Sequence, residues 1–122
     1  GYTLPELVYA TSSFVMASMA VKYNGLAVDY EVDAAYKNYG VGVAERTAQG
    51  VVTLYLGEAL SIGNQVSSIQ VTTSAQGSTV PPVRFASAVF NWPASTATVY
   101  LFDSAGAPVD GSFFFTMHGT RP

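Results

Sequence analysis

Short runs of β-branched and aromatic residues, cut at roughly 8–14-residue intervals by Gly, Pro, Asn or Asp, constrain this chain more than anything else in it. The last quarter is the plainest case. Thr96-Ala97-Thr98-Val99-Tyr100-Leu101-Phe102 suits a pleated strand, and so does Ser112-Phe113-Phe114-Phe115-Thr116-Met117-His118. Between them, residues 103–110 hold Asp103, Gly106, Pro108 and Asp110, which supply turn conformations that strands do not. Strand, turn, strand is a hairpin. Within its second strand, Phe113, Phe115 and Met117 share one face while Phe114 and Thr116 take the other. Apolar side chains on both faces imply core on one side and a subunit or partner on the other.

The same reading extends backwards. Residues 1–9 carry Pro5 and no clean period, and read as an N-terminal arm or short strand; residues 10–122 form the domain. A Met- and Ala-rich run from Ser13 to Tyr23 ends in Asn24-Gly25, a two-residue hairpin signal, with a helix over Val8–Met19 as its competitor. Leu26–Val32 alternates, as a half-buried strand does. Tyr39–Arg46 is a strand in which Gly40 and Gly42 mark a bend or close backbone approach; after the turn Thr47–Gly50, Val51–Leu56 is its mate. Gln65–Thr73 and Val83–Phe90 are two more, separated by a polar loop that Pro81-Pro82 stiffens. About eight short strands and no convincing helix predict an all-β, single-domain antiparallel β-sandwich or jelly roll.

Charge narrows the function classes. Only 11% of the 122 residues are charged, against about 25% in an ordinary soluble domain. A chain so poor in charge is expected to hide surface in an oligomer or on a larger assembly. The net charge is −3 with five Lys and Arg spread singly, so no basic stripe exists to bind nucleic acid. The longest apolar run, around residues 13–21, is too short for a helical membrane span and lacks a basic flank. With no cysteine and one histidine, thiolate chemistry and a zinc site drop out, and no cofactor is expected.

The remaining candidates for chemistry are thin. His118 needs a nucleophile and a carboxylate beside it in space, and reads as a surface or interface imidazole. Asp29, Glu31 and Asp33 alternate along one strand face, roughly 7 Å apart. Such a row could ligate calcium or flank a sugar, but also discourages edge-to-edge strand pairing. Asp103 and Asp110 read as turn residues that bond their own backbone. Tyrosine is harder to set aside: Tyr2, Tyr9, Tyr23, Tyr30, Tyr36 and Tyr39 crowd the first third, with Trp92 the only tryptophan. Their broad apolar faces and polar tips suit partner surfaces and sugar stacking as well as sandwich rims.

Four segments carry a resemblance. Ala20–Gly25, Gly40–Leu54, Thr98–Gly106 and Pro108–Gly119 resemble the opening strand, a V-x-R-x-x-x-G-x-Y-x-V hairpin, the penultimate strand and the closing strand of a β-sandwich module of tailed-bacteriophage virions. In the hairpin, Val51 and Val52 follow Gly50 where an aromatic is common. The resemblance implies a homotrimer and a non-enzymatic virion structural protein: a capsid decoration (cement) protein, assembled in the host cytoplasm, that binds and stabilises the major capsid protein shell. Candidate contacts are Tyr2, Leu4, Leu7 and Tyr9 on the arm, together with Phe114 and Trp92. The alternative is the receptor-binding domain of a tail fibre or spike, with cell-surface glycan as its partner, marked by a shallow aromatic-lined groove.

Overall fold

Among the described residues, local pattern becomes eight strands arranged as two sheets. The computed structural model describes residues 13–57, 65–74, 84–91 and 94–120. The strands are β1 (Ser13–Asn24), β2 (Asp29–Val32), β3 (Val41–Ala48), β4 (Val51–Leu56), β5 (Gln65–Ser74), β6 (Phe85–Asn91), β7 (Thr96–Phe102) and β8 (Ser112–Thr120). One sheet has the order β2-β1-β8-β5 and the other β3-β4-β7-β6. Every pairing is antiparallel. The all-β sandwich expected from the alternation is the architecture found. Three neighbouring pairs, β1–β2, β3–β4 and β6–β7, are sequential hairpins, whereas β1–β8 joins the two ends of the described chain.

Alternation decides what fills the space between the sheets. Val21, Phe113, Phe115 and Met117 point inward from the first sheet; Val52, Leu54, Val99 and Leu101 meet them from the second, all at 0–1% exposure. The closing strand divides its faces as its sequence predicts: Phe113, Phe115 and Met117 are core, and Phe114 is on the outside at 36% exposure. Met16 sits at a bulge in β1, and its side chain lies where a Cβ on Gly119 would have to go. The opening run is strand from Ser13 onward, so the β reading prevails over the helix there.

One turn differs in detail from expectation. The β1–β2 hairpin pairs Asn24 with Asp29, so its loop holds four residues, Gly25 to Val28, instead of the two that Asn24-Gly25 predicts. The reason is local: the Asn24 side-chain oxygen accepts hydrogen bonds from the Leu26 and Ala27 amides, and Val28, not Gly25, takes the positive φ of 51°. Leu26 and Val28 therefore belong to the turn and not to the strand. Gly42, by contrast, behaves as read. β3 bulges between Val41 and Val43, and a Cβ on Gly42 would lie 3.1 Å from the Tyr55 carbonyl oxygen.

Gly50 closes the β3–β4 hairpin with φ +70°, and a Cβ there would meet Leu101 O at 2.6 Å and Val109 N at 2.8 Å. Both contacts are to backbone, so neither neighbour can swing aside. Gly50→Ala should cost roughly 2–4 kcal/mol, left-handed strain and overpacking together. Urea unfolding checks this; a loss under about 0.5 kcal/mol would mean the turn is free to change conformation.

Candidate interaction surface

Polar chemistry concentrates at one end of the sandwich, around Asp110. Its carboxylate accepts from the Arg46 Nε (3.1 and 3.2 Å) and Nη2 (2.9 Å), from the Gly50 amide (3.0 Å) and from the Tyr30 hydroxyl (3.0 Å). The Tyr30 oxygen in turn accepts from the Gly111 amide at 2.9 Å. Asp29 supports the cluster by accepting from the Tyr30 and Arg46 amides at 2.8 and 3.1 Å. These residues come from β2, from the β3–β4 hairpin and from the connection that carries the chain from β7 to β8. One carboxylate thus ties both sheets to that connection.

Electrostatics agree with a fixed, structural carboxylate. Burial pushes the Asp110 carboxyl up, but the Arg46 guanidinium, the Gly50 amide and the Tyr30 hydroxyl outweigh it and hold its pKa below the ordinary value. Burial drives the Tyr30 phenol well above its usual range, and the adjacent Asp110 charge adds to that. The backbone amides of Tyr30 and Arg46 hold Asp29 below its ordinary value. Each acceptor oxygen of Asp110 already faces donors, which commits the group to holding the fold.

This corrects one expectation. Asp103 does cap its own turn, accepting from the Ala105 and Ala107 amides at 2.9 and 3.0 Å. Asp110 instead reaches across to residues sixty or more positions away. Turn composition could not have shown this, because its partners are brought together only by sheet-to-sheet packing.

The other acidic row does not converge. Asp29 and Glu31 lie on edge strand β2, while Asp33 follows its end and accepts from the Ala35 amide. Among the described residues no cluster of carboxylate and imidazole groups could hold a metal ion. The carboxylates of Asp29 and Asp33 are committed to backbone amides, which leaves Glu31 as the charge on edge strand β2 that fits the edge-blocking expectation. His118 is half-buried on the outward face of β8, and its Nδ1 has no hydrogen-bond partner among the described residues.

Of the six predicted contact residues, Tyr2, Leu4, Leu7, Tyr9 and Trp92 lie outside the described residues. Phe114 lies on the outer face of β8, with the Tyr36 ring against it edge-on at 5.5 Å and 74°. The early tyrosines divide. Tyr23 and Tyr30 pack on each other at 5.0 Å and Tyr30 reaches Phe113 at 6.1 Å, whereas Tyr36 and Tyr39 are exposed.

Among the described residues, exposed apolar side chains also gather elsewhere, on the outer face of the β3-β4-β7-β6 sheet. Register places Val43 beside Tyr55, Val51 beside Tyr100, Thr98 beside Val89 and Phe102 beside Phe85. Val43, Tyr55, Phe85, Val89 and Tyr100 are 42–57% exposed, and Phe85 stacks on Phe102 at 5.9 Å. Glu45 is the only charge among the strand residues that share this face. At its turn end, Val51, Tyr100, Phe102 and Pro108 line a shallow recess of about 170 Å³. Sequence reasoning missed this surface. Alternation in β6 and β7 separates the two sets of side chains correctly, but not which set faces water.

Compared with family models, curated proteins and solved structures, the chain matches none.

Proposed function

We propose that this chain is a structural protein that works by surface contact, and specifically a homo-oligomeric decoration protein of a tailed-phage capsid. The observation that carries the contact part is the outer face of the β3-β4-β7-β6 sheet, with five large apolar side chains in the open and one charge. The capsid part rests on the resemblance of the four segments described above. The major capsid protein shell is then the partner, the virion surface the location and binding, not turnover, the activity.

Magnitudes favour a repeating partner. Four strands at about 4.8 Å spacing and some 20 Å of strand length offer roughly 400 Å² of face. At about 25 cal/mol per Å² of apolar area the ceiling is about 10 kcal/mol, lowered by Thr53, Thr98, Ser87 and Glu45 on the same face, before association costs of about 4–15 kcal/mol. One copy alone binds weakly. Linked copies meeting a repeating shell gain by multivalency.

Tyr100→Glu and Val89→Asp test this, since both place a charge on the open face without touching the core. Each variant should keep its circular dichroism and lose at least tenfold in co-sedimentation with undecorated shells. Variants that bind shells as well as the parent would remove this face from the interface.

The recess between Tyr100, Phe102 and Pro108 favours a second reading, a receptor-binding domain that stacks cell-surface sugar on Tyr100. It predicts binding to isolated glycans that Tyr100→Ala abolishes, with no affinity for shells.

A further inference from the structure

The four edge strands are not equally protected, and the difference has a direction. On one side of the sandwich the edges are β2 and β3. β2 has only four residues and carries Asp29 and Glu31; β3 carries Glu45 and Arg46 and is broken by two bulges. These are the devices by which sheets refuse a further strand. On the other side the edges are β5, with ten residues and a single register shift between Val66 and Ser68, and β6, with seven. Neither contains a charge or a proline. Their inward side chains Val66, Ile69, Val71, Ala86 and Ala88 are only half-buried, so this side of the core is also less completely covered.

We propose that β5 is the pairing edge for a second copy of this chain, antiparallel about a two-fold axis at Gln70. The register selects the occupant. With Gln70 opposite Gln70, Ile69 of each copy faces Val71 of the other on the core side, and Ser68 faces Thr72 on the outer side. Over Ser68–Thr72 apolar meets apolar and polar meets polar, and the two central amides can hydrogen-bond each other; the matching stops at the register shift between Val66 and Ser68. Because antiparallel pairing of one strand with itself is isologous, both copies satisfy the same contacts. Neither β5 strand brings a charge to be desolvated. About a two-fold axis at Gln70 the β5 overlap is about 30 Å and the β6 edge about 23 Å, and with side chains the side is on the order of 20 Å deep, so pairing covers roughly 500 Å² per copy. The total of about 1,000 Å² stands at the lower limit for a specific interface.

The contact departs from the homotrimer that the resemblance implies: it predicts a dimer of the isolated protein, whether or not shells are bound. Light scattering on a sizing column should give twice the 12.9 kDa chain mass. Gln70→Lys sets two ammonium groups against each other at the axis and should weaken the dimer at least tenfold. Ala27→Lys, in the exposed β1–β2 turn, should leave it intact.

Since the chain has no cysteine, single substitutions read the register directly. Directly opposed residues lie about 4.5–5.5 Å apart at Cα, within disulfide reach, so Gln70→Cys should crosslink on mild oxidation. Two copies of Thr72→Cys would stand four residues apart, about 13 Å, and should not. A monomer, a trimer, a dimer indifferent to Gln70→Lys, or equal crosslinking at both positions would overturn the proposal.

Discussion

Phe115→Ala should lower unfolding free energy by roughly 3–5 kcal/mol, while Phe114→Asp, one residue earlier, should cost only about 1 kcal/mol. The contrast follows from facing alone. Phe115 is fully buried, opposite Met19 on β1 and Val71 on β5, so truncation leaves a cavity that two paired neighbours cannot close. Phe114 is 36% exposed, and its replacement gives up the Tyr36 edge contact while leaving the new carboxylate in water. Against a total stability of about 5–15 kcal/mol, the first change brings the domain close to unfolding and the second does not. Chemical denaturation of both variants is the check. If Phe114→Asp fails to fold, the outer face of β8 is covered in a way that these contacts do not include.

Asp110→Ala should be the most damaging polar substitution, at roughly 2–4 kcal/mol, because it strips several donors at once of a shared acceptor. The loss should also appear as pH dependence. The folded-state pKa of Asp110 is depressed, so the carboxylate contributes its full stabilisation above the ordinary carboxyl value of 3.8. That contribution disappears as pH falls from there through the lower folded value. Tyr30 has the opposite sign: its folded pKa is raised, so its contribution is complete below pH 10.0 and declines above it. Thermal melts of the parent should therefore lose stability at both extremes. In Asp110→Ala the acid limb should flatten. An unchanged acid limb would place the titrating groups elsewhere.

How much of this was legible in sequence depended on range. β7 matches its predicted span, Thr96–Phe102, because a two-residue period bounded by turn residues is a local signal. Gly42 was legible for the same reason, since a glycine inside an alternating strand has few uses other than a bulge or close approach. The β1–β2 loop was misread by two residues because Asn24 spends its side chain on the Leu26 and Ala27 amides, which lengthens the turn. The Asp110 cluster was not legible at all. Its partners Tyr30, from β2, and Arg46 and Gly50, from the β3–β4 hairpin, lie far from it in the chain, and only the crossing from β7 to β8 brings Asp110 to them. The exposed aromatic face was half legible. Tyr100 and Val99 visibly oppose each other, yet only the position of the second sheet decides which is core.

Surface contact with a shell is the central claim, and particle mass measures it most directly. The purified chain should elute as more than a monomer by light scattering, and should move into the particle peak when undecorated capsids are added. A chain that stays at 12.9 kDa and ignores the capsids would contradict the account at both points.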